Sequence, residues 1–320
     1  MQIRIAALLC FTLGLHAQTR PVPKEQFAAW MKECSNWGRW GKSDELGTLN
    51  LLTPATRVEA ARLVREGFAV SLSHDVEKEK GPDVTNPFIH QMRSSSENQG
   101  AEIFTDSFSI ASHGIAHTHL DALCHFSYEG SLYDGFSIKQ VTSKGAARLS
   151  IEAARNGIFA RGILIDIPEL KGVPYLEAGE AIYPEDLDAW EKKTGVRVQS
   201  GDVVFIRTGR WARRIAKGPW SMAERAGLHV SSVVWLHKRD IAILGSDASS
   251  DVRPSQVEGV LQPVHTLVIV AMGTPILDNC DLEQLSREAR KRKRWDFLLT
   301  TSPLTVPAAT GSPLNPIAIF

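Results

Sequence analysis

The chain has little cysteine, no net charge and no long apolar run. It contains 4 cysteines in 320 residues, a count that does not support a disulfide-stapled scaffold. Its 36 basic and 36 acidic residues cancel, so no chain-wide field attracts nucleic acid or an anionic membrane surface. No apolar segment approaches the roughly 20 residues that a membrane span needs. We therefore expect a compact protein that neither binds nucleic acid nor spans a membrane.

Several sequence motifs of known enzymes are also missing. The chain has no Gly-x-Ser-x-Gly elbow, Walker loop, His-Glu-x-x-His helix or Gly-x-Gly-x-x-Gly turn. One basic run is present, "RKRKR" at residues 290–294, and it continues a helical pattern. We interpret this run as a solvated helix end, where positive charge suits the helix dipole.

The first residues have the outline of a secretory signal peptide. Arg4 precedes an apolar run from Ile5 to Leu15, and Ala17 stands before a polar start. Residues 1–17 are therefore predicted to be removed, and the protein to be exported to the periplasm or the medium. The three cysteines that remain are predicted to be small core residues.

The remainder, residues 18–320, is predicted to form a single domain of the α/β class. "KEQFAAWMKEC", "TPATRVEAARLVREG" and "YPEDLDAWEKKTG" are typical of helices, the second with Thr53 as N-cap and Pro54 at its first position. The apolar runs "RGILIDI", "GDVVFIRTG", "DIAILGSD" and "HTLVIVAMG" each have strand length. Alternation of such strands with helices predicts a mixed or partly parallel sheet.

Histidine is concentrated in one stretch, "SHGIAHTHLDALCHF", at residues 112–126. The preceding "FTDSFSIAS" favours a strand, in which side chains face the same way at every second residue. Carried forward, that period places five side chains on one face: His113, His117, His119, Asp121 and His125. Two imidazoles and a carboxylate form a ligand set that Zn²⁺, Mn²⁺ or Fe²⁺ accepts, so the pattern predicts a metal site.

A second acidic candidate follows one of the predicted strands. In "LGSDASSD", Asp247 stands at the end of an apolar run, where functional groups gather in α/β folds. The alternative is an aspartate that only ends the strand in a turn, and the sequence leaves both interpretations open.

At the histidine cluster, "THLDALCH" resembles the Thr-His-x-Asp-x-Pro-x-His segment of the metal-dependent cyclase-like hydrolases, the family of bacterial kynurenine formamidase and isatin hydrolase. "GDVVFIRTG", "GSDASS", "PVHTLVIVAMGTPILDNCDLEQL" and "TGSPLNPIAIF" resemble later blocks of that family in the same order. With "WGRWGKSDELGTLNLLTP", the resemblance covers nearly all of the mature chain. It implies a mixed α/β domain with a partly barrel-like β-sheet and flanking helices, and a homodimer or homotetramer.

The resemblance also implies roles for individual residues. His119 and Asp121 fall on the family's metal ligands, and His125 falls on its catalytic histidine. Asp278 stands where better-known members have a glutamate near the metal, and His265 stands where a histidine is associated with a second ion.

The chain departs from the family pattern at two positions. Ile115 aligns with the family's first histidine ligand, and His117 has the strand parity to replace it, so His117 is predicted as the third ligand. If the chain bends earlier than strand parity assumes, His113 takes that place; otherwise it lies in the second shell or near a second ion. Leu123 replaces the motif's proline before His125.

These observations predict a metal-dependent hydrolase that cleaves a non-peptide amide, cyclic amide, ester or lactone bond in a small carbonyl compound. Its cofactor is expected to be a divalent ion, Zn²⁺ or Mn²⁺, which activates water for attack. His125 is expected to accept or relay the proton, with Asp247 assigned to the same catalytic group. Two alternatives stay open: an exported metal- or ligand-binding protein without catalysis, and a metal-dependent dehydratase or isomerase.

Overall fold

The computed structural model of the protein describes residues 19–97 and 101–320. The predicted signal peptide, residues 1–17, lies outside the described residues. Within the described ranges, Cys34, Cys124 and Cys280 are buried and form no disulfide, which agrees with their predicted place in the core.

The predicted helices are present, although the second is shorter than its sequence pattern suggested. The α-helices in the described ranges are α1 (Lys24–Glu33), α2 (Pro54–Ala61), α3 (Ile167–Lys171), α4 (Pro184–Thr194), α5 (Arg210–Lys217), α6 (Ser231–Lys238), α7 (Pro263–His265) and α8 (Glu283–Arg292). A π-helix follows α7 at Thr266–Ala271, and short 3-10 helices lie at Gly47–Leu51, Tyr133–Gly135, Ile138–Gln140 and Ile151–Ala154. Thr53 caps α2 by accepting a hydrogen bond from the Thr56 main-chain N–H. None of the helices in these ranges is long and apolar enough to cross a membrane.

One large curled sheet in the form of a half-barrel organises the fold. Its strands are β1 (Ala69–Ser71), β4 (His119–Asp121), β7 (Ile158–Asp166), β9 (Val203–Arg207), β11 (Ile243–Ser246), β12 (Ile276–Asp278), β13 (Asp296–Thr301), β14 (Gly311–Pro313) and β15 (Ile317–Ile319). The spatial order is β1-β15-β13-β7-β9-β11-β12-β4-β14. Three separate two-stranded sheets pair β2 (Ile89–Glu97) with β3 (Ala101–Ser109), β5 (Val141–Thr142) with β6 (Gly145–Ala146), and β8 (Ala181–Ile182) with β10 (Gly227–Leu228).

The middle of the large sheet is parallel and its margins are antiparallel. Strands β7, β9, β11 and β12 run parallel to one another, whereas β4 pairs antiparallel with both β12 and β14. Strand β9 is buried along its whole length, as expected for a parallel strand covered on both faces. The predicted α/β class with a mixed, partly barrel-like sheet and flanking helices is therefore confirmed.

The prediction of a strand at "HTLVIVAMG" is wrong, because this run forms the end of α7 and the π-helix. A wholly apolar run has neither the two-residue nor the 3.6-residue alternation that separates strands from helices, so its pattern could not decide. The local signals favour a helix. Pro263 occupies the first turn of α7, and the Asp251 carboxylate accepts a hydrogen bond of 2.6 Å from the Val264 N–H.

The extrapolation of strand parity through the histidine stretch is also wrong. Strand β3 ends at Ser109, and residues 110–118 follow an irregular path before β4 begins at His119. Gly114 has a φ of 122°, a left-handed conformation that glycine adopts without steric cost. This bend ends the two-residue period, so the five candidate side chains do not share one strand face.

Candidate functional site

Strand β4 supplies the centre of the site. His119 and Asp121 are two residues apart and project from the same face, whereas Leu120 between them is buried on the other face. The antiparallel register places Asp278 of β12 directly opposite His119. Cross-strand partners in such a pair lie close enough for their side chains to interact, so three polar groups meet at this point of the sheet.

His113 joins this group from the irregular segment before β4. Its Nδ1 lies 2.9 Å from Asp121 Oδ1, and its Nε2 lies 2.9 Å from Thr310 Oγ1. The ring packs against Gly311 of β14, where a Cβ atom would lie only 2.6 Å from His113 Cε1. Glycine at residue 311 is therefore required for His113 to reach the carboxylate.

His265 reaches the same carboxylate from α7. Its Nε2 lies 3.0 Å from Asp278 Oδ2 and 3.7 Å from Asp121 Oδ2. Its Nδ1 forms a short hydrogen bond with the Asp251 carboxylate. A carboxylate on one ring nitrogen orients the other nitrogen, an arrangement found behind histidines that bind metals.

The other two central residues are oriented in the same way. His119 Nδ1 lies 2.8 Å from the His117 carbonyl oxygen, which leaves His119 Nε2 directed at Asp121 Oδ1, 3.2 Å away. Asp278 Oδ1 accepts hydrogen bonds from the Ser250 hydroxyl at 3.0 Å and the Ser250 N–H at 3.2 Å. Its Oδ2 remains for the cluster. In each of these residues, one polar atom is held by a hydrogen bond to the protein and the other is directed at the centre of the cluster.

The donor set fits a divalent ion. Two groups of ligand atoms, His113–His119–Asp121 and Asp121–His265–Asp278, each lie within 4.8 Å of one another and share the Asp121 carboxylate. Asp121 is only 1% exposed, and its Oδ2 has no hydrogen-bond partner. A buried carboxylate oxygen without a donor is costly, and a bound cation would satisfy it. Imidazole nitrogen and carboxylate oxygen are ligands that Zn²⁺ and Mn²⁺ both accept.

A cavity of about 650 Å³ opens over this cluster, a size that suits a small organic molecule. His125 lies on its wall, with its ring stacked on that of His113 at 3.8 Å between centroids. His125 Nε2 lies 3.8 Å from Asp121 Oδ1, at the margin of the cluster. Burial lowers the pKa of His125 to about 4, so the ring is neutral at pH 7 and can accept a proton.

The structure does not bring His117 to the cluster. Its Nε2 faces the Asn86 carbonyl oxygen at 3.3 Å, and its ring meets the edge of the Phe88 ring. His113, not His117, contacts Asp121, so the structure does not support His117 as the third ligand. The reason is that β4 begins only at His119, so the two-residue period of this strand does not extend back through the irregular segment to His117.

Asp247 is not among the residues that line the cavity, so the structure does not support its predicted catalytic role. Its fully buried carboxylate accepts hydrogen bonds from the main-chain N–H groups of Thr208, Gly209 and Arg210 and from the Thr208 hydroxyl, at distances from 2.7 to 3.2 Å. Burial raises the pKa of Asp247, and these donors oppose that effect. The carboxylate fixes the turn between β9 and α5.

Several residues of the site were missed in the sequence. Asp251 and Ser250 stand in the "GSDASSD" run only a few residues after Asp247, and the clustering of acidic and hydroxyl groups there was their signal. Two arginines on the cavity wall, Arg225 and Arg253, come from segments without any recognisable motif. Only the folded chain brings them beside the histidines.

Comparisons with known proteins agree with this architecture. Residues 53–251 match a family model described as "Putative cyclase". The chain is similar to a solved structure described as a novel cyclase, with 29% identity and a TM-score of 0.80 over 89% of this chain and 97% of that chain. A search of curated proteins gave no match.

The chain also shares its fold with two isatin hydrolases. Isatin hydrolase A from Ralstonia solanacearum has 22% identity and a TM-score of 0.56, over 83% of this chain and 95% of that chain. Isatin hydrolase A from Labrenzia aggregata, bound to benzyl benzoate, has 20% identity and a TM-score of 0.55, over 84% of this chain and 98% of that chain.

Replacement of Asp247 tests its structural assignment. Asp247→Ala leaves several buried N–H groups without an acceptor and is expected to lower the free energy of unfolding by about 3 kcal/mol or more. Asp247→Asn keeps one acceptor oxygen and should lose less. Urea denaturation measures both variants. Unchanged unfolding of Asp247→Ala, together with a loss of activity in both variants, would restore the catalytic interpretation.

Proposed function

Because the chain belongs to the cyclase family, we propose that it is a metal-dependent hydrolase of a non-peptide amide, cyclic amide or ester bond in a small carbonyl compound. One observation carries the proposal: imidazole and carboxylate atoms converge on Asp121 beneath a cavity of about 650 Å³. The match in fold extends over nearly the whole length of the two isatin hydrolases, and this supports hydrolysis as the reaction class.

The proposed ligands of the first ion are His113, His119 and Asp121, and Asp278 and His265 complete a second set around the same carboxylate. A divalent ion supplies Lewis-acid chemistry, which polarises a carbonyl oxygen and lowers the pKa of water. The chain's own contribution is to hold these donors at fixed positions through Thr310, Asp251 and the main chain.

His125 is the proposed proton acceptor. It contacts the cluster only at its margin, and 26% of its side chain is exposed toward the cavity. A neutral imidazole at this position can take a proton from the attacking water and return it to the leaving group. The centroid of the Phe126 ring lies 5.0 Å from the ring centroids of both His125 and His265. This apolar ring limits the access of other water to the reacting bond.

Metal content separates the two candidate third ligands. His113→Ala should lose at least half of the bound metal, because a ligand atom beside Asp121 is removed. His117→Ala is the matched control and should bind metal like the wild type. Elemental analysis after loading with Zn²⁺ or Mn²⁺ gives the result. Full metal content in His113→Ala with loss in His117→Ala would refute the proposed ligand set.

Turnover by His125→Ala separates proton transfer from metal binding. Against a panel of an aryl formamide, a cyclic imide and a lactone, this variant should keep its metal and lose about 10²-fold or more in kcat. His237→Ala replaces a partly buried histidine outside the cavity and should retain activity. Loss of metal in proportion to activity would make His125 a ligand. Metal binding by the wild type without turnover of any substrate would favour a binding protein over an enzyme.

A further inference from the structure

Two arginines that line the cavity, Arg225 and Arg253, are paired through their main chains. The segments to which they belong carry none of the proposed metal ligands. The Arg225 N–H donates to the Arg253 carbonyl oxygen at 3.1 Å, and the Arg253 N–H donates to the Arg225 carbonyl oxygen at 3.0 Å. Reciprocal hydrogen bonds of this kind define directly opposed residues of an antiparallel bridge. Opposed side chains leave such a bridge on the same side, and both of these line the cavity.

Neither guanidinium is neutralised by a carboxylate within ion-pair distance among the described residues. Arg225 is 6% exposed and donates to the Met222 and Ser249 carbonyl oxygens and to the Ser249 hydroxyl. Arg253 donates from Nη1 to the Leu261 carbonyl oxygen, and its buried Nε has no partner. Burial lowers the pKa of Arg225, as expected for a cation without a direct counter-ion.

The nearest acidic groups are already engaged elsewhere. Asp251 accepts hydrogen bonds from the Val264 N–H and from His265, and Asp278 faces His265 and Ser250. A divalent ion at the cluster would further offset these negative charges. Two neighbouring cations on a wall of a partly enclosed cavity then favour an anionic ligand, because like charges repel and their burial is costly without a counter-charge.

We propose that the substrate carries a carboxylate in addition to the bond that is hydrolysed, and that Arg225 and Arg253 bind this carboxylate. The inference rests on the proposed hydrolase function and specifies its substrate class. The planar guanidinium matches a carboxylate through two parallel hydrogen bonds, which gives orientation as well as affinity. His119 and Asp121 line the same cavity, so a substrate held by the arginines at one end can present its carbonyl group to them.

Matched aromatic probes test the inference by binding alone. Isothermal titration of metal-loaded wild type should show 3-carbamoylbenzoate, which has one carboxylate and one amide, binding about tenfold or more tightly than isophthalamide, which has no carboxylate. In Arg253→Gln the two probes should bind within about twofold of each other. Arg253→Lys keeps the charge without the planar fork and should retain part of the preference. Arg290→Gln, an exposed arginine of α8, is the control and should behave like the wild type.

Three results would overturn the inference: equal affinity for the two probes in the wild type, an undiminished preference in Arg253→Gln, or tighter binding of 3-carbamoylphenylphosphonate than of 3-carbamoylbenzoate. The last result would identify a phosphate-type anion in place of a carboxylate. Thermal melting of Arg253→Gln checks that the variant is folded. Anion preference without turnover of the substrate panel would refute the hydrolase proposal alone, and turnover without anion preference would refute the arginine site alone.

Discussion

A carboxylate buried almost completely among imidazole rings is the constraint on which the site depends. Asp121 is 1% exposed, its Oδ1 faces His113 and His119, and its Oδ2 has no hydrogen-bond donor. Burial alone would raise the pKa of Asp121, but the surrounding histidines hold it well below the usual range, so the group stays negative. A negative charge in such a place needs a positive partner, and the imidazole nitrogens and carboxylate oxygens that converge on Asp121 form a donor set that fits a divalent ion.

The rest of the fold holds that arrangement in place. The short strand β4 fixes His119 and Asp121 through pairing on both edges, with β12 bringing Asp278 and β14 bringing Gly311. Asp251 both caps α7 and orients the His265 ring, so one carboxylate couples the position of a helix to the position of a ligand. Asp247 performs a comparable task for the turn before α5. These two buried carboxylates therefore serve to position other groups.

The sequence predicted strands β7, β9 and β11, helices α1, α2 and α4, and the central pair His119 and Asp121, because each of these depends on local periodicity or on a contiguous motif. It misplaced the run "HTLVIVAMG" because a continuous apolar run fits a buried helix as well as a strand. It chose His117 over His113 because the strand period was carried through residues 110–118, which follow an irregular path before β4. Arg225 and Arg253 could not be found, since only the pairing of distant segments brings them together. Export and self-association remain predictions of the sequence.

In the proposed metal centre, Asp121 is the shared carboxylate and His113 is the third ligand. Anomalous diffraction from crystals of the protein loaded with Zn²⁺ locates the ion. We expect a peak about 2.0–2.2 Å from His119 Nε2, from His113 Nδ1 and from an oxygen of Asp121. A peak bound by His117, or full zinc loading with no peak beside Asp121, would contradict this assignment.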